Sequence, residues 1–160
     1  MKSKEEKTNV MRIFERSKIE YKVHNYKASG AVGGADVAES LRENPDAVFK
    51  TLVTVGKSRE HYVFLVPVSR ELDLKKAAKC VGEKNIRMIK SKELLPLTGY
   101  VHGGCSPVGM KKFFRTTIDE SAAKFNSVFF SGGKIGYQIE TTLDELSKVM
   151  EYSLSDIVAE

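Results

Sequence analysis

Strand-like segments outnumber helix-like segments in this chain, and the two kinds do not alternate strictly. Two strongly apolar segments, 46–55 and 59–68, have the pattern of strands, and the segment 127–140 reads as two strands that turn at Gly132 and Gly133. A doubly wound α/β fold requires strands and helices to alternate. The sequence therefore predicts an α+β fold with a mixed, partly antiparallel sheet surrounded by helices.

Helical patterns occur at several places between these strands. The clearest is residues 74–81, where Leu74, Ala77, Ala78 and Val81 share one face, with Asp73 as a cap and Gly82 as a stop. Thr142 and Glu145 have the spacing of a capping box at the start of a helix. The remaining predicted elements are helical segments within 4–17, 35–41 and 91–95, a helix over 141–150, and strands over 19–26, 86–89 and 113–119.

Length and composition are those of an ordinary globular protein. The chain has 160 residues, of which 41% are hydrophobic and 29% charged, so we expect a single domain over residues 1–160. No window approaches the run of about 18 apolar residues that a membrane span requires. Cys80 and Cys105 lie far apart and form no CxxC pair, which indicates neither a disulfide framework nor a zinc site. These features predict a cytoplasmic protein with no membrane partner.

The charge of the chain is mildly positive. Lys and Arg number 26 against 21 Asp and Glu, for a net charge of +5. Such a field favours an anionic partner such as RNA, although solvated surface lysines explain any one group equally well. The basic residues form three small groups, at 73–79, 86–92 and 109–115.

The common catalytic motifs are absent from the sequence. There is no GxxxxGK[ST] loop, no GxGxxG after a strand, no HExxH and no pair of histidines at ligand spacing, so we expect no metal and no cofactor. Cys105 and His102 could form a nucleophile and base, but their spacing in a loop specifies no attack geometry. A free cysteine is more often a small buried hydrophobe. Ser106 lacks the GxSxG elbow of a hydrolase serine.

Lys50 is the residue that fits its surroundings least. In an extended strand it shares a face with Val48 and Leu52, which should be buried. Lysine is almost never fully buried without a partner. Three explanations stay open from the pattern: snorkelling at a strand end, a hidden ion pair, or the floor of a polar pocket.

Two glycine-rich segments, 102–109 and 129–136, end or follow strands. Their backbone N–H groups could hold a carbonyl or phosphate oxygen, since no bulky side chain covers them. Ordinary turns are the alternative interpretation.

Four segments in this order and spacing resemble the YbaK/EbsC family of Cys-tRNA(Pro) deacylases, relatives of the editing domain inserted in bacterial prolyl-tRNA synthetases. The segments are "VFKTLV", "LDLKKAAK", "TGYVHGGCSPVGMKK" and "SVFFSGGKIGYQIE". The resemblance covers nearly the whole chain. It implies a largely antiparallel, barrel-like sheet surrounded by helices.

The resemblance also implies a site. The family's functional lysine in a K-T pair matches Lys50 and Thr51, which would place the lysine in a pocket. The family's GxxxP loop matches Gly103 to Pro107, and its serine before a double glycine matches Ser131. The implied catalytic residues are Lys50, Gly103 and Gly104, and the implied substrate-binding residues are Tyr26, Thr51, Ser106, Pro107, Ser131, Gly132 and Gln138.

Two departures from the family pattern stand out. Some members have a phenylalanine in the first glycine loop, where this chain has "AVGG" at 31–34. Some have an aspartate where this chain has Gln138. The loss of that carboxylate puts in doubt an acid or base role at this position.

The family implies a function: hydrolysis of the ester of mischarged Cys-tRNA(Pro), or of Cys-tRNA(Cys), with the acceptor end of the tRNA as partner and prolyl-tRNA synthetase as a second candidate partner. In the family, the thiol of the substrate attacks its own carbonyl and the terminal ribose hydroxyls assist. Lys50 would supply a cation, and Gly103 and Gly104 backbone donors. The alternatives are a non-catalytic tRNA- or synthetase-binding module, favoured by Gln138 and the altered first loop, and a deacylase for alanine or serine.

Overall fold

A computed structural model describes residues 7–26 and 34–160 of the chain. The first glycine loop lies almost entirely outside the described residues, so its departure from the family pattern has no structural counterpart here. The helices are α1 (Asn9–Arg16), α2 (Gly34–Leu41), α3 (Leu74–Val81), α4 (Ser91–Thr98), a 3-10 helix (Glu120–Lys124) and α5 (Leu143–Leu146). The strands are β1 (Lys22–Asn25), β2 (Phe49–Gly56), β3 (His61–Pro67), β4 (Ile86–Met88), β5 (Arg115–Asp119), β6 (Val128–Ser131), β7 (Tyr137–Thr141) and β8 (Ser153–Ser155).

The strands form two sheets. One has the order β1-β7-β6 and is antiparallel throughout, and the other has the order β4-β2-β3-β5-β8. In the larger sheet β2 pairs antiparallel with β3 and β4, whereas β5 pairs parallel with β3 and β8. A bridge between Val48 and Phe129 links the sheets. The predicted α+β fold with a mixed, mostly antiparallel arrangement is confirmed, but the strands form two open sheets and do not close into a barrel.

The main core lies where the inward side chains of both sheets meet α1. Val53 and Leu65 from the larger sheet belong to the same buried cluster as Phe130 and Ile139 from the smaller one. Phe14 of α1 packs edge-to-face on Phe130, with ring centroids 6.4 Å apart. Aromatic pairs in this geometry add stabilisation beyond the area that they bury.

A second buried layer covers the outer face of the larger sheet. Ala77, Ala78 and Val81 of α3 pack against the face that carries Phe64 and Val66. The ends of α3 are those predicted: Asp73 accepts hydrogen bonds from the backbone N–H groups of Lys75 and Lys76, and Gly82 has a φ of 77°. Glycine adopts this left-handed conformation without the cost that a Cβ imposes.

Two helices differ in length from the prediction. The predicted turn at 91–95 extends through Pro96 to Thr98, because Leu94 and Thr98 are both buried one turn apart and the Thr98 hydroxyl donates to the Leu94 carbonyl at 2.8 Å. The helix predicted over 141–150 is only the single turn α5. Thr142 caps it as predicted, but the Glu145 carboxylate accepts from the backbone N–H of Glu20, which is distant in sequence.

The sequence did not predict β8 or the 3-10 helix, which are both short. In the part of the chain that the structure describes, every helix is too short or too polar to cross a lipid bilayer.

Candidate active site

A cavity of about 350 Å³ lies between the two sheets, along the part of β2 that β4 leaves uncovered. This volume falls within the range of roughly 300–1,000 Å³ that is usual for small-molecule sites. Its wall includes Lys50 and Thr51 of β2, Ser131 of β6 and Gln138 of β7. Ser131 and Gln138 are cross-strand partners in the antiparallel β6–β7 pair, so a single residue pair of this hairpin supplies both side chains.

Six of the ten predicted site residues line this cavity. They are Tyr26, Lys50, Thr51, Gly103, Ser131 and Gln138. They come from four parts of the chain that are far apart in sequence, with Ser131 and Gln138 on the two strands of one hairpin, and the fold brings them together at one place. The other four, Gly104, Ser106, Pro107 and Gly132, are absent from the lining.

The cavity accounts for the unusual position of Lys50 in β2. It lines the cavity, and its side chain is 27% exposed, so it is neither a core residue nor a free surface lysine. Its ammonium lies 3.4 Å from the Glu71 carboxylate, whose side chain is 82% exposed. Exposed pairs of this length contribute little free energy. The Lys50 ammonium is therefore held loosely and could turn to an anionic group in the cavity.

Two buried polar atoms near the cavity have no hydrogen-bond partner among residues 7–26 and 34–160. They are the Oγ1 atom of Thr51 and the Oε1 atom of Gln138. Gln138 is 94% buried, since only 6% of its surface is exposed. Leaving such groups unsatisfied costs about 1–3 kcal/mol each. A bound ligand with N–H or O–H donors would remove this cost.

The glycine segments contribute less to the site than the sequence suggests. The backbone N–H of Gly104 donates to the Val101 carbonyl at 3.0 Å, and that of Gly132 donates to the Tyr137 carbonyl at 2.9 Å. Both groups are therefore already used within the protein. Gly103, with a φ of 87°, is the predicted backbone donor that lines the cavity.

Ser106 and Pro107 are buried in the same loop but do not line the cavity. Ser106 is fully buried, and its hydroxyl oxygen accepts from the backbone N–H of Val108 at 3.3 Å. Pro107 lies at a separate surface depression with Ile13 and Phe114.

Cys105 lines the cavity but is not set up as a nucleophile. Burial raises the pKa of its thiol to about 12, against a smaller opposing effect of a hydrogen bond with Thr98. The thiol is therefore protonated at neutral pH, and a protonated thiol is a poor nucleophile. His102, also in the lining, is exposed. Among the described residues, no three His, Cys, Asp or Glu side chains cluster as metal ligands would.

Sequence reasoning missed one wall of the cavity. Met88, Ile89, Lys90, Ser91 and Leu94 line it where β4 ends and α4 begins. The sequence shows a short strand followed by a helical turn here, and neither pattern reveals that the junction faces β2. The basic group at 86–92 was the available signal, since it combines several cations with a break between elements.

The comparisons with known proteins agree with this fold. The model of the aminoacyl-tRNA editing domain family matches residues 30–149. The chain therefore belongs to the aminoacyl-tRNA editing domain family.

Individual relatives cover nearly the whole chain. A protein of Enterococcus faecalis named "Putative Cys-tRNA(Pro)/Cys-tRNA(Cys) deacylase EbsC" is 40% identical over 157 residues, which is 98% of this chain and 96% of the relative. The crystal structure of "a putative trans-editing enzyme for prolyl tRNA synthetase" is 26% identical, with a TM-score of 0.83 over 96% of this chain and 99% of that one. A crystal structure of a hypothetical protein, 19% identical with a TM-score of 0.85, covers 94% of this chain and 99% of its own and supports the fold alone.

Proposed function

We propose that this chain is a trans-acting aminoacyl-tRNA deacylase that releases cysteine from mischarged tRNA(Pro). The observation that carries the proposal is the cavity in which Lys50, Thr51, Gly103 and Gln138 meet. Family membership and the name of the 40% identical relative support the choice of an aminoacyl ester as substrate.

The cavity suits the chemistry of ester cleavage. The ester of an aminoacyl-tRNA is already activated, so the protein must hold it and stabilise the negative charge that develops on the carbonyl oxygen. Lys50 supplies a cation for the carbonyl or the terminal phosphate, and the backbone N–H of Gly103 supplies a donor. Thr51 and Gln138, with their unpaired oxygens, accept from the donors of the aminoacyl group.

The nucleophile in this proposal is the thiol of the substrate. Its sulfur bonds to the carbonyl carbon, the ester bond to the ribose breaks, and the thiol proton passes to the leaving ribose oxygen with help from the adjacent hydroxyl. The product is a cyclic thioester that water opens. This route needs no nucleophile from the protein, which fits a Cys105 thiol whose pKa is raised to about 12.

We propose further that residues 1–160 act as one editing domain in the cytoplasm, where tRNAs are charged. Prolyl-tRNA synthetase is the proposed source of the mischarged substrate, in line with the description of the 26% identical structure as a trans-editing enzyme for that synthetase.

The test is the release of amino acid from Cys-tRNA(Pro) by the protein and by Lys50→Ala. We expect the variant to lose about a hundredfold or more in rate, the usual cost of removing one charge-stabilising group. Lys57→Ala is the matched control, because Lys57 is an exposed lysine just beyond the other end of β2 and does not line the cavity.

Two further substrates separate the alternatives. Ala-tRNA(Pro) tests deacylation of another small residue, and tRNA charged with 2-aminobutyrate replaces the thiol by a methyl group of similar size. Release of cysteine alone supports thiol attack by the substrate. Equal release of 2-aminobutyrate would exclude that route, and release of no amino acid would leave a tRNA-binding module.

A further inference from the structure

The segment from residue 84 to residue 103 carries a local excess of positive charge. It contains Lys84, Arg87, Lys90 and Lys92 but a single acid, Glu93. The Glu93 carboxylate accepts a hydrogen bond from the backbone N–H of Lys90 at 3.0 Å, at the start of α4. Glu93 therefore caps the start of α4, and the segment keeps a net positive charge.

Three of these cations are exposed and available. Arg87, Lys90 and Lys92 are all exposed to solvent. No carboxylate in the described ranges forms an ion pair with any of the three. By contrast, Lys76 on α3 is held by Asp156 at 3.0 Å. Because these side chains have no ion pair to break, binding an anion costs them little free energy.

The three cations lie within the segment 87–92, most of which lines the cavity. Met88, Lys90 and Ser91 line it, and Arg87 and Lys92 are the chain neighbours on either side of that stretch. The strand β4 is also the edge of the larger sheet, so no further strand covers it. Among residues 7–26 and 34–160, the lining contains two lysines, Lys50 and Lys90, and no carboxylate.

We infer that Arg87, Lys90 and Lys92, here called the basic rim, bind the phosphates of the acceptor arm of a tRNA whose ester end occupies the cavity. The inference rests on the proposed function. Once the terminal nucleotide enters the cavity, the phosphates of the preceding nucleotides must cross its rim. The basic rim is the part of the described rim where cations are concentrated without acids, and Lys/Arg contacts to phosphates supply most of the affinity of sequence-independent nucleic-acid binding.

Binding of uncharged tRNA tests the basic rim without any chemistry. The variant is Arg87→Gln/Lys92→Gln, which leaves the lining residue Lys90 in place. The control is Lys75→Gln/Lys79→Gln, which removes the same charge from exposed positions on α3 outside the lining.

We expect the rim variant to raise the Kd about tenfold at 0.15 M salt, and the control to change it less than twofold. The slope of log K against log salt should become shallower by about 1.4–1.8 in the rim variant, since each lost phosphate contact removes roughly 0.7–0.9. Equal losses in the two variants would indicate a general effect of net charge and would overturn the inference.

Kinetics then separate this inference from the proposed function. With Cys-tRNA(Pro), the rim variant should raise KM about tenfold and leave kcat within twofold, because phosphate contacts are the same in the ground state and the transition state. With cysteinyl-adenosine, which has no acceptor arm, the rim variant and the intact protein should differ by less than twofold.

The outcomes are distinct. If the intact protein cleaves both esters and the rim variant binds tRNA as well as the control does, the inference is wrong and the proposed function stands. If the intact protein cleaves neither ester, the proposed function is wrong, and the tRNA-binding comparison still decides whether the basic rim contacts RNA.

Discussion

The polar side chains near the two ends of the β2–β3 hairpin differ in their hydrogen bonding. At the end near the turn, the Glu83 carboxylate accepts from the Ser58 backbone at 3.1 Å, from the Ser58 hydroxyl and from the Tyr62 hydroxyl at 2.6 Å. At the opposite end, the cavity beside β2 is lined by Thr51 of β2 and by Gln138 of β7, whose side-chain oxygens have no partner among the described residues. Polar groups paired within the protein stabilise it, whereas those left unpaired are available to a ligand. The second end therefore fits the binding role that we propose for the cavity and is called the binding end below, whereas the end near the turn is called the paired end.

Among the changes that test this comparison, the largest effect should come from making the binding end apolar. We expect the double variant Thr51→Val/Gln138→Leu to lose about tenfold to a hundredfold in deacylation, the equivalent of a hydrogen bond to a charged group at roughly 1.5–3 kcal/mol. Because two unpaired buried oxygens disappear, the melting temperature should stay the same or rise by about 2–4 °C. Kinetics and thermal unfolding on the same sample measure both. A lower melting temperature with unchanged deacylation would contradict the comparison.

The paired end should give the opposite result. Tyr62→Phe removes one hydrogen bond to the Glu83 carboxylate, so we expect a lower free energy of unfolding and no change in deacylation. The hydrogen bonds from Ser58 and Tyr62 lower the pKa of Glu83 below 4.5 in the folded protein.

That shift gives the paired end a pH signature. A carboxylate whose pKa is lowered by folding contributes stability above its unfolded pKa, and this stability is lost as the pH falls through the folded value. Thermal unfolding at pH 7 and pH 3 should therefore show a smaller acid-induced loss in Tyr62→Phe than in the intact protein. An identical loss in both proteins would mean that the Tyr62–Glu83 bond does not lower the pKa of Glu83.

Cys105 lines the cavity, but its replacement should have only a small effect on activity. Its pKa of about 12 means that it does not attack the ester, so Cys105→Ala should keep deacylation within a few-fold of the intact protein. Iodoacetamide at pH 7.5 should modify the half-buried Cys80 faster than the buried Cys105, as mass spectrometry of the labelled peptides would show. Abolished activity in Cys105→Ala would point to a nucleophilic thiol from the protein.

The sequence predicted what depends on local chemistry. The cap at Asp73, the stop at Gly82 and the hairpin through Gly132 are all set by residues within a few positions of one another. Lys50 was conspicuous because one charged residue interrupted an apolar face. The family resemblance then gave it a pocket, and the structure places it in the lining of one.

What the sequence could not predict depends on distant contacts. The separation into two sheets follows from pairings such as Val23 with Ile139, which nothing in either segment specifies. The wall formed by 88–91 lies at the cavity because β4 pairs with β2, a contact that the hydrogen bond from the N–H of Ile89 to the carbonyl of Val53 extends. Gly104 looked like a free donor, but its N–H bonds to a carbonyl three residues back in its own loop.

The contacts around Glu71 bear on the order in which the protein folds. The Glu71 carbonyl accepts from the N–H of Ala159, the Arg70 guanidinium donates to the Ala159 carbonyl, and the N–H of Asp73 donates to the carbonyl of Ile157. The segment that carries the partner of Lys50 is thus fastened by residues more than eighty positions further along the chain. Contacts of such long sequence separation form late, because closing a large loop costs entropy before any contact is gained. The surroundings of Lys50 should therefore be among the last parts of the molecule to assume their final form, after the hairpin that bears the lysine is complete.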